Sequence, residues 1–364
     1  MAHPALDTPP APRTDPTSSP IDWAVAAVTA QRLLPAGPVV PPQEAAGAVR
    51  QLRALSVSAE QHVRELTGLD DGQPPRCAEV VDRPGWVDAA VEGLRRLLAG
   101  DWLDHRLAEG KSRRMLATTA GMQVGVALAF LASRVLGQYD PFGGPPETPG
   151  RLLLVAPNVL TVGRMVDVPA EEFQMWVCLH EATHRLQFNA VPWLREYFAS
   201  QVQSFVATAE DPDTMIKMVG RLPAALRGAR RGEASDALSV LTLLQDPEQR
   251  AVLERLLALA TLLEGHADHV MDAVGPSVVP SVRLIRQRFT ARRHGGGLAE
   301  RVLRAVLGID AKLRQYAEGA AFTRYVVDAV GMDGFNAVWT SPETLPTRAE
   351  ITDPAAWLYR MSPA

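Results

Sequence analysis

The sequence contains very little cysteine and lysine. The two cysteines in 364 residues, Cys77 and Cys178, are too few for a disulfide framework and are typical of a protein in a reducing cytoplasm. Lysine occurs only at Lys111, Lys217 and Lys312, so arginine carries most of the positive charge. The formal net charge of -4 gives no reason to expect a nucleic-acid partner.

Long apolar runs are also scarce. The first 20 residues are rich in Pro, Ser and Thr and contain no apolar core, so we expect a disordered tail over 1–20 rather than a signal peptide. Residues 115–136 are long and apolar enough to be weighed as a membrane span. Arg134 within this segment, and the lack of a second span, favour instead a buried helix that packs through Gly121 and Gly125. We therefore expect no membrane span.

Hydrophobic periodicity predicts a mainly α protein with a small β element, an α+β fold. The content of 47% hydrophobic and 21% charged residues is typical of a soluble globular protein. The segment 141–150 (PFGGPPETPG) marks the clearest boundary, because proline and glycine exclude regular structure. We predict an N-terminal helical region at 21–145, a metal-binding core at 150–340 and a C-terminal surface segment at 341–364.

The predicted core begins with a short buried strand at 151–155 (RLLLV). Since a strand at the edge of a sheet can pair with an extended ligand, we expect this strand to line a substrate cleft. Pro169, followed by the acidic Glu171 and Glu172, then predicts the start of a helix that continues through Phe188.

This helix contains the pattern H-E-x-x-H, within residues 177–186 (VCLHEATHRL). Residues four apart lie on one helix face, so His180 and His184 can offer two imidazole nitrogens to one zinc ion. Glu181 follows the first ligand and can act as a general base toward a water molecule. Given 8 histidines in the chain, coincidence would produce this pattern with a probability of only about 0.01. A metal site is therefore the favoured interpretation.

A catalytic zinc site also needs a third protein ligand. The metzincin extension of the motif is absent, because Gln187 and Ala190 stand where that pattern requires glycine and histidine. The third ligand must therefore come from a distant part of the chain.

Residues 262–272 (LLEGHADHVMD) are the best source of this ligand. On a helix, Glu264 and Asp268 share a face, which favours Glu264 as the ligand and Asp268 as the group that orients a ligating histidine. This E-x-x-x-D spacing resembles the gluzincin arrangement. His269 is the alternative third ligand, and His266 is less suited to the same ion. The apolar residues before this segment predict burial, and buried acids need partners.

Hydrolysis further requires a group that stabilises the oxyanion of a tetrahedral intermediate. Tyr316 and His269 are the first candidates for this catalytic role, followed by Tyr325 and His294. None of them is marked by a specific pattern, because a tyrosine on a helix is more often a core residue with its hydroxyl at the rim.

Four segments together resemble the zincin-like metallopeptidase type 2 family, some of whose members are labelled as associated with the biosynthesis of a deazaflavin coenzyme. The segments are HEATHRLQF, LLEGHADHVMD, LRQYAEGAAFTRYVVDAVG and FNAVWTSPETLPTRAEITDPAAWLYR, and the resemblance covers most of 21–360. It implies a mainly helical chain whose zincin-like core holds one zinc per chain. The implied ligands are His180, His184 and Glu264, with Glu181 as the base. The resemblance implies no particular substrate.

We therefore expect a cytoplasmic, zinc-dependent hydrolase that attacks a peptide or other amide bond. One alternative is a catalytically silent zincin-like scaffold or binding protein associated with deazaflavin coenzyme metabolism. Another is an amide hydrolase that acts on a small metabolite. A fourth coordination position that is open favours an enzyme, whereas one blocked by a protein group favours the scaffold. The sequence leaves the oligomeric state open.

Overall fold

Helices make up most of the fold, as predicted. The computed structural model of the chain describes residues 19–99, 111–145, 150–207, 247–294 and 309–362. The helices, numbered in chain order, are α1 (Trp23–Leu33), α2 (Pro42–Thr67), α3 (Arg83–Leu97), α4 (Lys111–Ala132), α5 (Ala156–Val166), α6 (Ala170–Ala190), α7 (Leu194–Ala207), α8 (Pro247–Ala273), α9 (Val282–His294), α10 (Ile309–Phe335), α11 (Arg348–Thr352) and α12 (Pro354–Met361). Short 3-10 turns lie at Asn336–Trp339 and Pro342–Thr344.

The β element is a sheet of three strands, β1 (Glu79–Val81), β2 (Gly137–Asp140) and β3 (Arg151–Val155). Strand β3 lies in the centre, with β1 parallel on one side and β2 antiparallel on the other. The strand predicted at 151–155 is therefore present, but it does not lie at an edge where an extended substrate could pair with it. That it lines a cleft stays a prediction. Its short partners were not predicted because three or four residues are too few to show a period.

Helix α6 lies in the middle of the core. It packs against both α2 and α8, and both of these neighbours contribute buried apolar side chains to the same cluster. A buried ion pair joins α6 to α2, with Arg185 Nη1 2.8 Å from Glu60 Oε2. Arg185 also donates to the main-chain oxygen of Arg76. Because the Arg185 side chain is only 7% exposed, breaking this pair would leave the arginine charge buried without its counter-ion, so the pair favours the packing of α6 on α2.

Two glycines bring the backbones of α8 and α10 into direct contact. A Cβ atom added to Gly265 would overlap the main chain of Gly319, and one added to Gly319 would overlap the main-chain oxygen of Thr261. Only glycine permits this approach at either position. The two helices therefore cross at Gly265, the residue that directly follows Glu264 in α8.

Helix α4 carries the apolar segment. Gly121 and Gly125 face α1, and a Cβ atom at Gly125 would lie 2.6 Å from the main-chain oxygen of Ala26. The predicted close packing through small residues is therefore present, although only one face of α4 is buried. Arg114–Ala132 is long and apolar enough to cross a membrane by length and composition alone, with 33% of its most apolar window buried. The lack of a membrane span stays a prediction.

The predicted division into regions also stays a prediction. The sheet combines β1 from before the boundary at 141–150 with β3 from after it, and α2 packs against α6 across the same boundary. The tail predicted at 1–20 lies outside the described residues except for Ser19 and Pro20.

The two cysteines differ in exposure, and this difference predicts their reactivity. Cys77 is exposed, whereas Cys178 is buried on α6 and its pKa is raised by burial and by the charge of Glu181. Since the thiolate is the reactive form, the folded protein should react with one equivalent of a thiol reagent such as DTNB. Two equivalents should react in denaturant. Rapid reaction of both thiols in the folded protein would contradict the burial of Cys178.

Candidate metal centre

The two histidines of the H-E-x-x-H pattern lie on one face of α6. Their Nε2 atoms are 3.1 Å apart, and their rings are nearly perpendicular, with an interplanar angle of 87°. Both side chains are partly exposed, and 23% of the His180 side chain is accessible. The four-residue spacing on a helix therefore brings two imidazole nitrogens together at an accessible point.

Glu264 on α8 joins this pair. Its Oε2 atom lies 3.5 Å from His180 Nε2, and one donor atom from each of the three side chains lies within 4.8 Å of the others. Zn²⁺ bound tetrahedrally at about 2.0–2.1 Å keeps neighbouring donor atoms about 3.3 Å apart. The separations between these side chains bracket that value, so His180, His184 and Glu264 fit a zinc ion.

Glu181 lies beside this group and is only 6% exposed. Burial raises the pKa of its carboxyl group, the negative charge of Glu264 raises it further, and the main-chain N–H of Tyr139 acts in the opposite direction. A carboxylate with a raised pKa is a stronger base at neutral pH. The surroundings of Glu181 are therefore compatible with its predicted role as a general base.

Strand β2 passes close to Glu181. A Cβ atom added to Gly137 would lie 2.5 Å from Glu181 Cγ and 2.9 Å from its Oε1. The next residue but one, Tyr139, donates its hydroxyl hydrogen to Asn189 Oδ1 of α6 at 2.6 Å. This hydrogen bond links β2 to α6, the helix that carries Glu181.

The remaining nitrogens of the two histidines have different partners. His184 Nδ1 is 2.9 Å from Gln187 Oε1, and His180 Nδ1 is 3.2 Å from Met271 Sδ. Neither contact was predicted from the sequence, where Gln187 served only to exclude the metzincin pattern. Its spacing was nevertheless informative, because a residue three positions after His184 lies on the same helix face.

Asp268 forms an ion pair with α9. Its Oδ1 atom lies 2.9 Å from Arg286 Nη1, and its main-chain oxygen accepts a hydrogen bond from the same guanidinium. Asp272 binds this arginine as well, also at 2.9 Å. The structure therefore gives Asp268 a role in joining α8 to α9, and its predicted role in orienting a histidine stays a prediction.

His269 and His266 do not belong to the group of donors within the described residues. The pKa of His269 is lowered by burial and by the charge of Arg324 on α10. His266 is fully buried, its ring stacks on Phe335 with centroids 5.0 Å apart, and burial lowers its pKa to about 3. Glu264 is therefore the third residue that the structure brings to the two histidines.

The oxyanion stabiliser stays a prediction. Tyr316 lies on α10 and His294 ends α9, but the side chains of both lie outside the described part of the chain. Tyr325 is described and is 48% exposed. The catalytic role predicted for His269 is likewise untested by its position.

Two comparisons with known proteins found a match. The sequence profile of the zincin-like metallopeptidase family matches residues 21–358. A crystal structure from Chloroflexus aurantiacus, described as that of a "putative hydrolase with a novel fold", is 30% identical in sequence and superposes with a TM-score of 0.67. This alignment covers 94% of the present chain and 98% of the other. A search of curated proteins found no match. Since the profile spans nearly the whole chain, the protein belongs to the zincin-like metallopeptidase family.

Proposed function

We propose that the protein is a zinc-dependent hydrolase that cleaves a peptide or other amide bond. The observation that carries this proposal is the spacing of three donors, His180 Nε2, His184 Nε2 and Glu264 Oε2, which suits one tetrahedral ion. Membership of a metallopeptidase family supports both the metal and the reaction class. The position of Glu181 beside the donors supports its role as the base.

The zinc ion and the side chains have different roles in the proposed reaction. When bound, zinc supplies Lewis-acid chemistry, because it polarises a carbonyl oxygen and lowers the pKa of water. Glu181 removes a proton from the attacking water as its oxygen forms a bond to the carbonyl carbon. The C–N bond then breaks, and Glu181 returns the proton to the departing nitrogen. His180, His184 and Glu264 would hold the ion.

The position of β2 at the edge of the sheet favours a substrate that binds in an extended conformation. Leu136 O accepts a hydrogen bond from Val155 N of β3, so the alternation of an antiparallel pair turns the main-chain groups of Gly137 and Tyr139 away from β3. Glu181 lies on this outer side. A strand of substrate paired with Gly137 would therefore place a carbonyl group near the base.

The first test is a metal analysis of the purified wild-type chain, combined with a screen of peptides and acyl amides. We expect about one zinc per chain and chelator-sensitive hydrolysis. Absence of bound zinc after incubation with the ion would overturn the proposal. One tightly bound zinc without turnover of any substrate would favour the alternative of a silent scaffold.

Replacing Gly137 by alanine tests the approach of β2 to the base. The added Cβ would displace the Glu181 side chain, and a misplacement of about 1 Å can reduce turnover by about 100-fold. Zinc content should not change, because the three atoms nearest to the added Cβ all belong to Glu181, which is not one of the three donors. Alanine at Gly47, which has open space around it, provides the control. Wild-type kcat in Gly137→Ala would exclude this positioning role.

A further inference from the structure

The side chain of Gln187 connects His184 to the helix that carries Glu264. We propose that Gln187 is a positioning residue that holds His184 in the tautomer with its hydrogen on Nδ1, so that the Nε2 lone pair is free for a cation. This inference rests on the proposed function, because it concerns the ability of His184 to bind a metal ion.

The amide of Gln187 has a defined orientation. Its Nε2 atom is 3.0 Å from the main-chain oxygen of Leu263. A carbonyl oxygen can only accept a hydrogen bond, so the atom that faces it must be the NH₂ group of the amide. The other end of the amide, Oε1, therefore faces His184 Nδ1 at 2.9 Å.

This orientation determines the tautomer of His184. Oε1 is an acceptor only, so His184 Nδ1 must supply the hydrogen. A neutral imidazole carries one hydrogen, which leaves Nε2 of His184 as a lone pair. That lone pair faces His180 Nε2 at 3.1 Å, where the donors of the candidate metal centre meet.

A second contact secures the amide. The NH₂ group of Gln187 also lies 3.0 Å from Nδ1 of His266, which must accept from it. The hydrogen of the His266 ring is then on Nε2. Gln187 and His266 are both fully buried, and His266 packs against Phe335 and Trp339. Because Gln187 and two of its three partners, Leu263 and His266, are buried, the amide has little freedom to flip.

The Gln187 side chain also connects α6 and α8, the two helices that supply the donors. Leu263, whose carbonyl oxygen accepts from Gln187, directly precedes Glu264 on α8. Gln187 therefore links the orientation of the His184 ring to the backbone of α8 next to Glu264, the third ligand. Partners of this kind, which hold a metal ligand without touching the metal, typically contribute 10–100-fold to metal affinity.

The wild-type protein provides the first test. Nitrogen-15 NMR of the metal-free, full-length chain distinguishes the two neutral tautomers of each histidine, with assignments from single-histidine variants. We expect hydrogen on Nδ1 of His184 and on Nε2 of His266. A His184 ring with its hydrogen on Nε2 would overturn the inference, whatever the variants show.

Zinc affinity provides the second test. Gln187→Leu should weaken zinc binding by about 10–100-fold, measured by competition with a chelator. Gln174→Leu is the matched control, because Gln174 lies near the start of the same helix and is 3% exposed. Its zinc affinity should match that of the wild type. A folded Gln187→Leu variant that binds zinc within twofold of the wild type contradicts the inference.

A third variant separates hydrogen bonding from packing. Gln187→Glu keeps an acceptor for His184 but loses the NH₂ group, so its zinc affinity should exceed that of Gln187→Leu. An equal loss in the two folded variants would show that packing alone is responsible. The proposed function fails separately, since a wild-type chain that binds no zinc refutes it, whereas unchanged affinity in Gln187→Leu refutes only the inference.

Discussion

Glu181→Gln is expected to abolish hydrolysis while the chain still binds about one zinc. Glutamine has nearly the same shape as glutamate but cannot take a proton from water, and general bases typically contribute 10²–10⁴-fold to turnover. Glu181 is not one of the three grouped donors, so the metal should be retained. Burial raises the pKa of Glu181, which means that the folded state disfavours its charge. A neutral amide there should not lower the unfolding midpoint.

The measurements are kcat on any substrate found in the screen, zinc content and thermal unfolding. Glu171→Gln is a suitable control, because Glu171 is exposed in the first turn of the same helix. Its kcat should equal that of the wild type. Retained turnover in Glu181→Gln would remove Glu181 as the base, and loss of zinc would show that Glu181 is instead a ligand.

His184→Ala is expected to weaken zinc binding by more than the 10–100-fold that is typical of an outer partner, because it removes a donor to the ion itself. His184 Nε2 lies 3.1 Å from the matching atom of His180, where the three donors meet. Chelator competition and metal analysis measure the loss. Hydrolysis should fall with zinc occupancy.

His62→Ala controls for the removal of a histidine. His62 lies on α2, where it pairs with Glu65 at 3.9 Å, and it is not among the grouped donors. Its variant should bind zinc as the wild type does. If His184→Ala binds zinc as tightly as His62→Ala, the candidate metal centre is in the wrong place.

The helix with H-E-x-x-H could be predicted because its signals are local. Pro169 and the two acidic residues after it mark the start of α6, and spacing alone places His180 and His184 on one face. Glu264 lies 80 residues after His184 in the sequence. Its choice depended on the helix face that it shares with Asp268 and on the apolar residues before it, which predicted that an acid there would need a partner.

Other parts of the site could not be predicted, because they depend on tertiary contacts. Strand β2 is four residues long, and nothing in its sequence shows that Gly137 approaches Glu181. Asp268 shares a face with Glu264, as predicted, but the ion pair with Arg286 depends on how α9 packs on α8. Nothing in the sequence distinguishes Gln187 from other helix residues, because its hydrogen bond to the Leu263 oxygen depends on how α8 packs against α6. Such roles become visible only when distant helices meet.

The glycine contact between α8 and α10 has a consequence for how accurately the third donor is held. At Gly265 and Gly319 the two helices touch through main-chain atoms. Side chains can relax a contact by changing rotamer, but a backbone has no rotamers to change. This main-chain contact therefore limits how closely the two helices approach each other. Because Glu264 directly precedes Gly265, the same contact sets the position of the Glu264 backbone. Helix α10 thus positions a ligand of the candidate metal centre, although no described residue of α10 contributes a donor.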